Sequence, residues 1–136
     1  MDTIQQNDST INRPEGERVL NAPLVHIDMG KFYRQIRNEP AWEKSERNAI
    51  TLLHNDRLRI VLIALKAEGE IPTHSVDGPC SIQVWEGRIW VETEEQSISV
   101  AAGEAIAIEA QVPHIVYAEE ESMHILTLAG DADGNF

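Results

Sequence analysis

The chain contains a single cysteine, Cys80, so no disulfide can form within it. Aromatic residues make up only 5% of its 136 positions, which leaves the building of a core to Ile, Val and Leu. Long apolar runs are missing as well. The longest strictly apolar stretch is Ile60 to Leu65, too short to span a bilayer, and the N-terminus is polar rather than basic and apolar. Neither a membrane partner nor an export signal is expected, and the cytoplasm is the expected location.

Positive charge is the most unevenly missing feature. Residues 1 to 66 carry ten Lys or Arg against nine Asp or Glu, whereas residues 67 to 136 carry only Arg88 against fourteen acids. A half-chain at −13 repels phosphate backbones, so nucleic acid is not an expected partner, and the acids read as a solvated surface. Glu92, Glu94, Glu95 and Glu119 to Glu121 fall in or beside turns without the ligand spacing of a calcium loop.

What is present is a series of short alternating runs. Ser81 to Glu86, Arg88 to Glu94, Gln96 to Val100, Glu104 to Glu109, His114 to Ala118 and Met123 to Ala129 read as strands separated by turn residues. Leu58 to Leu65 is apolar nearly throughout and reads as a strand covered on both faces. Upstream, Leu24 to Ile27 reads as a short strand, Asp28 as the N-cap of a helical turn with Phe32 and Ile36 on one face, Pro40 as its stop, and Ala49 to Leu53 as a further strand. Residues 1–18 are polar and expected to be mobile, 19–57 form an extension, 58–129 a barrel or sandwich, and 130–136 a frayed tail.

Two histidines, His74 and His114, lie forty positions apart, each at the end of an expected strand. From Gly69 through His74, Val76 and Cys80 to Gly87 the chain resembles the first cupin motif, G-x5-H-x-H-x3-E-x6-G, with Gly69 one residue too close. From Gly103 through Glu109, Gln111 and His114 to Ala118 it resembles the second, G-x5-P-x-G-x2-H-x3-N, and fifteen residues separate the two stretches. The resemblance implies an all-β protein, a double-stranded β-helix (jelly-roll) barrel of the cupin 2 type with an N-terminal strand and short-helix extension. Of the four metal ligands usual in that family, His74 and His114 are kept, while Val76 and Cys80 stand where a histidine and an acid are usual.

Alternation then sorts the strands. Cys80, Ile82 and Val84 point into the barrel, as do His114, Val116 and Ala118; with Val76 these give a mostly apolar pocket. Gln83 and Trp85 point outward and, with Trp90, form the expected interface, covered either by the segment carrying Phe32, Tyr33 and Trp42 or by a second copy in a homodimer. Two imidazoles fall short of the usual three protein ligands of a catalytic metal, so a third must come from Cys80, from Glu109 or His124 if the strands allow, or from elsewhere. With Cys80 the set is soft, two nitrogens and one sulfur, and would suit zinc or copper; the expected cofactor more widely is one divalent transition metal, zinc, copper, iron, nickel or manganese. His124 reads as a surface residue. Three functions are expected in order: a barrel binding a small molecule without a complete metal site, a metal-dependent oxygenase or isomerase using His74 and His114, and a structural or interaction barrel.

Overall fold

The computed structural model describes residues 5–7 and 18–136, with side chains from Val19 onward. Of the segment expected to be mobile, residues 1–4 and 8–17 lie outside the described residues. Strand β1 (Gln5–Asn7) pairs antiparallel with β2 (Arg18–Asn21). Two helices follow, α1 (Met29–Ile36) and α2 (Pro40–Lys44), then β3 (Arg47–His54) and β4 (Leu58–Leu65). The remaining strands are β5 (Glu70–His74), β6 (Cys80–Glu86), β7 (Arg88–Glu92), β8 (Ser97–Ala101), β9 (Ala105–Ile108), β10 (His114–Ala118) and β11 (Ser122–Ala129). Eight of these strands overlap segments read as strands from the sequence.

Two antiparallel sheets face each other, one ordered β5-β10-β7-β8 and the other β3-β4-β11-β6-β9. Strict alternation on β6, β7 and β10 sends Ile82, Val84, Ile89, Val91, Val116 and Ala118 into a shared interior. On β4, by contrast, Val61 to Leu65 are all buried. Val61, Ile63 and Leu65 enter the interior, whereas Leu62 and Ala64 lie under the helices with Phe32, Ile36 and Trp42. The extension is therefore the second cover of the five-stranded sheet, and β3, within it, is that sheet's edge strand.

Local chemistry explains how the helices are set. The Asp28 carboxylate caps α1 by accepting from the Lys31 amide at 3.2 Å, and Phe32 and Ile36, four apart, share the buried face. Pro40 does more than stop α1, because it occupies the first turn of α2, where its missing N–H costs nothing. Buried Glu39 accepts from Gln35 Nε2 at 2.8 Å and from Asn48 Nδ2 at 3.0 Å, and the same Asn48 amide donates to the Ile36 carbonyl at 2.9 Å. This network ties both helices to β3, and a buried carboxylate is tolerated because its oxygens are paired. On the other flank Tyr33 and Arg37 bond Glu86, and Arg37 Nε stands 3.0 Å from Glu121 without hydrogen-bond alignment. Burial opposes the charge on Glu86, yet these two partners hold its carboxyl below the usual carboxylate range.

Some expectations need correction. Leu24 to Ile27 forms no strand; the pairing falls just upstream, at β2, and Leu24 is 91% exposed. The tail is tied down rather than frayed. Asp131 accepts from the amides of Asp133 and Asn135 at 2.9 and 2.8 Å, and Phe136 packs against the barrel interior with its ring 5.9 Å from that of His54.

Three motif positions can be read in dihedral angles. Gly87 and Gly103 have φ of 83° and 87°, the left-handed region that glycine enters without strain, and Gln111, at a position that the motif gives to glycine, has φ of 61°. A Cβ at Gly87 would stand 2.8 Å from Ser122 Cα, whereas one at Gly103 would meet nothing within 4 Å. In urea denaturation Gly87→Ala is expected to lose about 2–4 kcal/mol and Gly103→Ala only the backbone strain of about 1 kcal/mol, while Gln111→Gly is neutral or gains up to about 1 kcal/mol. Equal losses at the two glycines would refute this ordering.

Candidate functional site

Among the described strands β5 is an edge strand, paired with β10 alone, and its register with β10 is irregular. His114 lies opposite His74 and Val116 opposite Ile71, so two steps along β10 match three along β5. The extra residue falls at Pro72–Thr73, where an edge strand accepts a proline that cannot donate to a ladder. Without it, His74 and Ile71 would face opposite sides. The bulge restores the parity and brings His74 to His114 with ring centroids 4.4 Å apart and planes tilted by 56°.

Both rings are held in the same way. His74 Nδ1 bonds the Pro72 carbonyl at 3.0 Å, and His114 Nδ1 bonds the Val112 carbonyl at 2.9 Å. A carbonyl oxygen can only accept, so each Nδ1 carries a proton, and a ring in its neutral form keeps its lone pair on Nε2. His114 is 2% exposed. Burial lowers its pKa and the neighbouring His74 adds to this, against the opposing bond to Val112, so the neutral acceptor form is favoured. The pair is thus two neighbouring Nε2 acceptors fixed by backbone.

Other expected partners do not join them. Among the described residues no group of three or more His, Cys, Asp or Glu side chains is arranged to hold a metal. Cys80 is buried, and burial pushes its thiol pKa up, away from the thiolate that ligates. Glu109 is exposed after β9. The residues present supply two nitrogens, short of the three protein ligands of a catalytic zinc-type centre, and a protein-only metal site does not fit them.

Ile82, Val84, Val116 and Ala118 are packed in the interior cluster, with Val76 against its margin, so the positions expected to line a pocket fill the barrel instead. Space lies at the rims. A cavity of about 310 Å³ reaches His114 but not His74, and is lined also by Thr73, Glu92, Thr93, Glu94, Pro113 and Ile115. Sequence reasoning missed it because its walls come from the end of β5, the β7–β8 turn and the start of β10, which meet only in the fold. Trp85 is 42% exposed, touched by Tyr33 at 6.3 Å between centroids, on the outer face of the five-stranded sheet beside exposed Gln83. Trp90 belongs to the other sheet, where its Nε1 donates to Glu119 at 3.3 Å.

The cupin barrel is the fold that these sheets define. Solved structures with the same architecture include a conserved Streptococcus pyogenes protein of unknown function, 26% identical, with 61% of this chain and 73% of that one covered at a TM-score of 0.58. A cupin-2 domain protein from Shewanella frigidimarina is 18% identical, with 76% and 93% covered at 0.62. Salicylate 1,2-dioxygenase from Pseudaminobacter salicylatoxidans is 17% identical, with 90% of this chain but 37% of the enzyme covered at 0.67. No family model matches the sequence, and no curated protein matches it. Among the described residues no helix is long and apolar enough to cross a membrane.

His124 corrects the sequence reading most sharply. It lies opposite Ile63 and Val84, both interior residues, is 1% exposed, and its Nδ1 has no hydrogen-bond partner. Burial lowers its pKa from 6.5 to about 4. The unfolded chain therefore takes up this proton first. The stability contributed by keeping His124 neutral is complete above pH 6.5 and is lost as pH falls through 4, by about 3 kcal/mol. Relative to His124→Met, the native chain should lose that amount between pH 7 and pH 4 in denaturant titrations; parallel pH profiles for the two would refute it.

Proposed function

We propose that the chain is a small-molecule-binding cupin barrel whose recognition element is the His74–His114 pair, acting without a complete metal site. The observation that carries this is the pairing of two backbone-anchored imidazoles 4.4 Å apart, each with an Nε2 acceptor. The adjoining cavity of about 310 Å³ is within the range of small-ligand pockets and is lined by Glu92, Glu94, Thr73 and Thr93. Such a surface is rich in acceptors and negative charge. It suits a molecule of mixed polarity that presents hydrogen-bond donors, an amine or a polyol, and it disfavours anions.

A thermal-shift screen of amines, polyols and phenols on untagged protein tests the reading. A ligand that binds the native state alone stabilises it by about 2.7 kcal/mol at a hundred times its Kd, and His114→Ala should abolish the shift. A screen without a stabilising hit overturns the proposal. One equivalent of a transition metal, lost on His74→Ala or His114→Ala, would replace it with the metal-dependent enzyme.

A homodimer is proposed on the Gln83–Trp85 strip, where a large aromatic stays 42% exposed on β6, at the margin of the sheet face that the helices cover, with Tyr33 of α1 beside it. Sedimentation should show Trp85→Glu shifting the chain to monomer; unchanged sedimentation would place the contact elsewhere.

A further inference from the structure

On the opposite edge of β5 from β10, the two sheets leave a seam between β5 and β3, each an edge strand among the described strands. A crevice of about 590 Å³ opens there, lined by Ala41, Lys44, Arg47, Ala49, Ile63 and Ile71 among others. Its floor is the barrel interior itself. Ala49 pairs with Ile63 and Arg47 with Leu65, and because directly opposed residues share a face, all four lie on the inner side of the sheet. Ile71, opposite Val116, supplies the other wall.

The rim is cationic in an otherwise acidic molecule. Arg47 reaches across the seam, with Nη1 donating to the Glu70 carbonyl at 3.4 Å, and Lys44 stands at the end of α2. Neither forms an ion pair among the described residues. One strand beyond Ile63, in the same cross-strand row, lies His124 with its unpartnered Nδ1, so the inner face bordering the crevice also holds an unsatisfied polar atom.

We infer that this seam is a second binding site, for a small carboxylate with an apolar body. The carboxylate would be held by Lys44 and Arg47, and its hydrocarbon or aromatic part would lie on Ala49, Ile63 and Ile71. Charge chooses the class. An apolar amine would meet two like charges, and a neutral apolar molecule would leave both cations unused. The crevice shares no lining residue with the cavity beside the histidines. Ile71 and His74 are three residues apart, about 10 Å along a strand, so the sites are separable.

Octanoate and phenylacetate serve as probes, against octanol and octylamine, by calorimetry and by amide chemical-shift mapping on the full chain. Both carboxylates should bind in preference to the alcohol and the amine, with shifts at Arg47–Ala49 and Ile71. The Lys44→Met, Arg47→Met double variant should weaken binding about tenfold and remove its salt dependence. Ala49→Phe should block the crevice while leaving urea stability near that of the native chain. His114→Ala should leave carboxylate binding intact, which separates this site from the amine or polyol site. Equal binding of octanol, shifts confined to the histidine pair, or no binding of either carboxylate at millimolar concentration would overturn the inference.

Discussion

Burial of β4 on both faces is the constraint from which the rest of the architecture follows. Val61, Ile63 and Leu65 face the opposing sheet, while Leu62 and Ala64 face the helices, so neither the barrel nor the extension has a complete core without this strand. Each fully buried Ile, Leu or Val contributes about 1.5–3 kcal/mol relative to exposure, and five consecutive buried positions make β4 a shared wall. The helices are then fixed by contacts on two flanks, the Glu39 network against β3 and the Glu86 cluster against the end of β6. A strand so loaded on both sides holds β3 at the sheet edge. That position decides where the barrel stays open.

The histidine pair depends on a different device. Edge strands tolerate irregular register because one side of their ladder is free, and β5 uses that freedom for the bulge at Pro72–Thr73. The cost is a lost ladder bond at a proline that could not have donated one. In return His74 comes onto the same face as Ile71, opposite His114. Backbone carbonyls two residues upstream then set both tautomers, so the acceptor arrangement needs no side chain beyond the two rings.

Much of this was legible in the sequence. Period-two alternation placed Ile82, Val84, Val116 and Ala118 inside, the apolar run at Leu58–Leu65 announced a doubly covered strand, and the cupin resemblance paired the two histidines across the fold. What it could not show was how full the interior is, because packing depends on the distance between sheets and not on which face a residue takes. His124 was misread because the acidic turn before it suggested a surface, whereas plain alternation with Leu126 and Leu128 along β11 puts the ring inside. Glu39 was illegible as a buried residue because its partners, Gln35 and Asn48, come from a helix and a strand that meet only in three dimensions. Gln111 was the reverse case: the motif marked a glycine position, and the backbone there keeps the glycine conformation although the side chain has changed.

The charge asymmetry gains a structural meaning once the strands are placed. The barrel half contributes acids to the turns around the histidines, including Glu92 and Glu94, while the nearly balanced extension contributes the cations at the seam. Segments with different electrostatics thus border two openings of one barrel, separated along a single edge strand. A carboxylate approaching the histidine side meets the like charges of exposed Glu92 and Glu94. At the seam the same ligand meets Lys44 and Arg47. On the two proposed readings, one scaffold would discriminate ligands by sign at two rims without any change in its core, because the selectivity would rest on which segment of the chain supplies each rim.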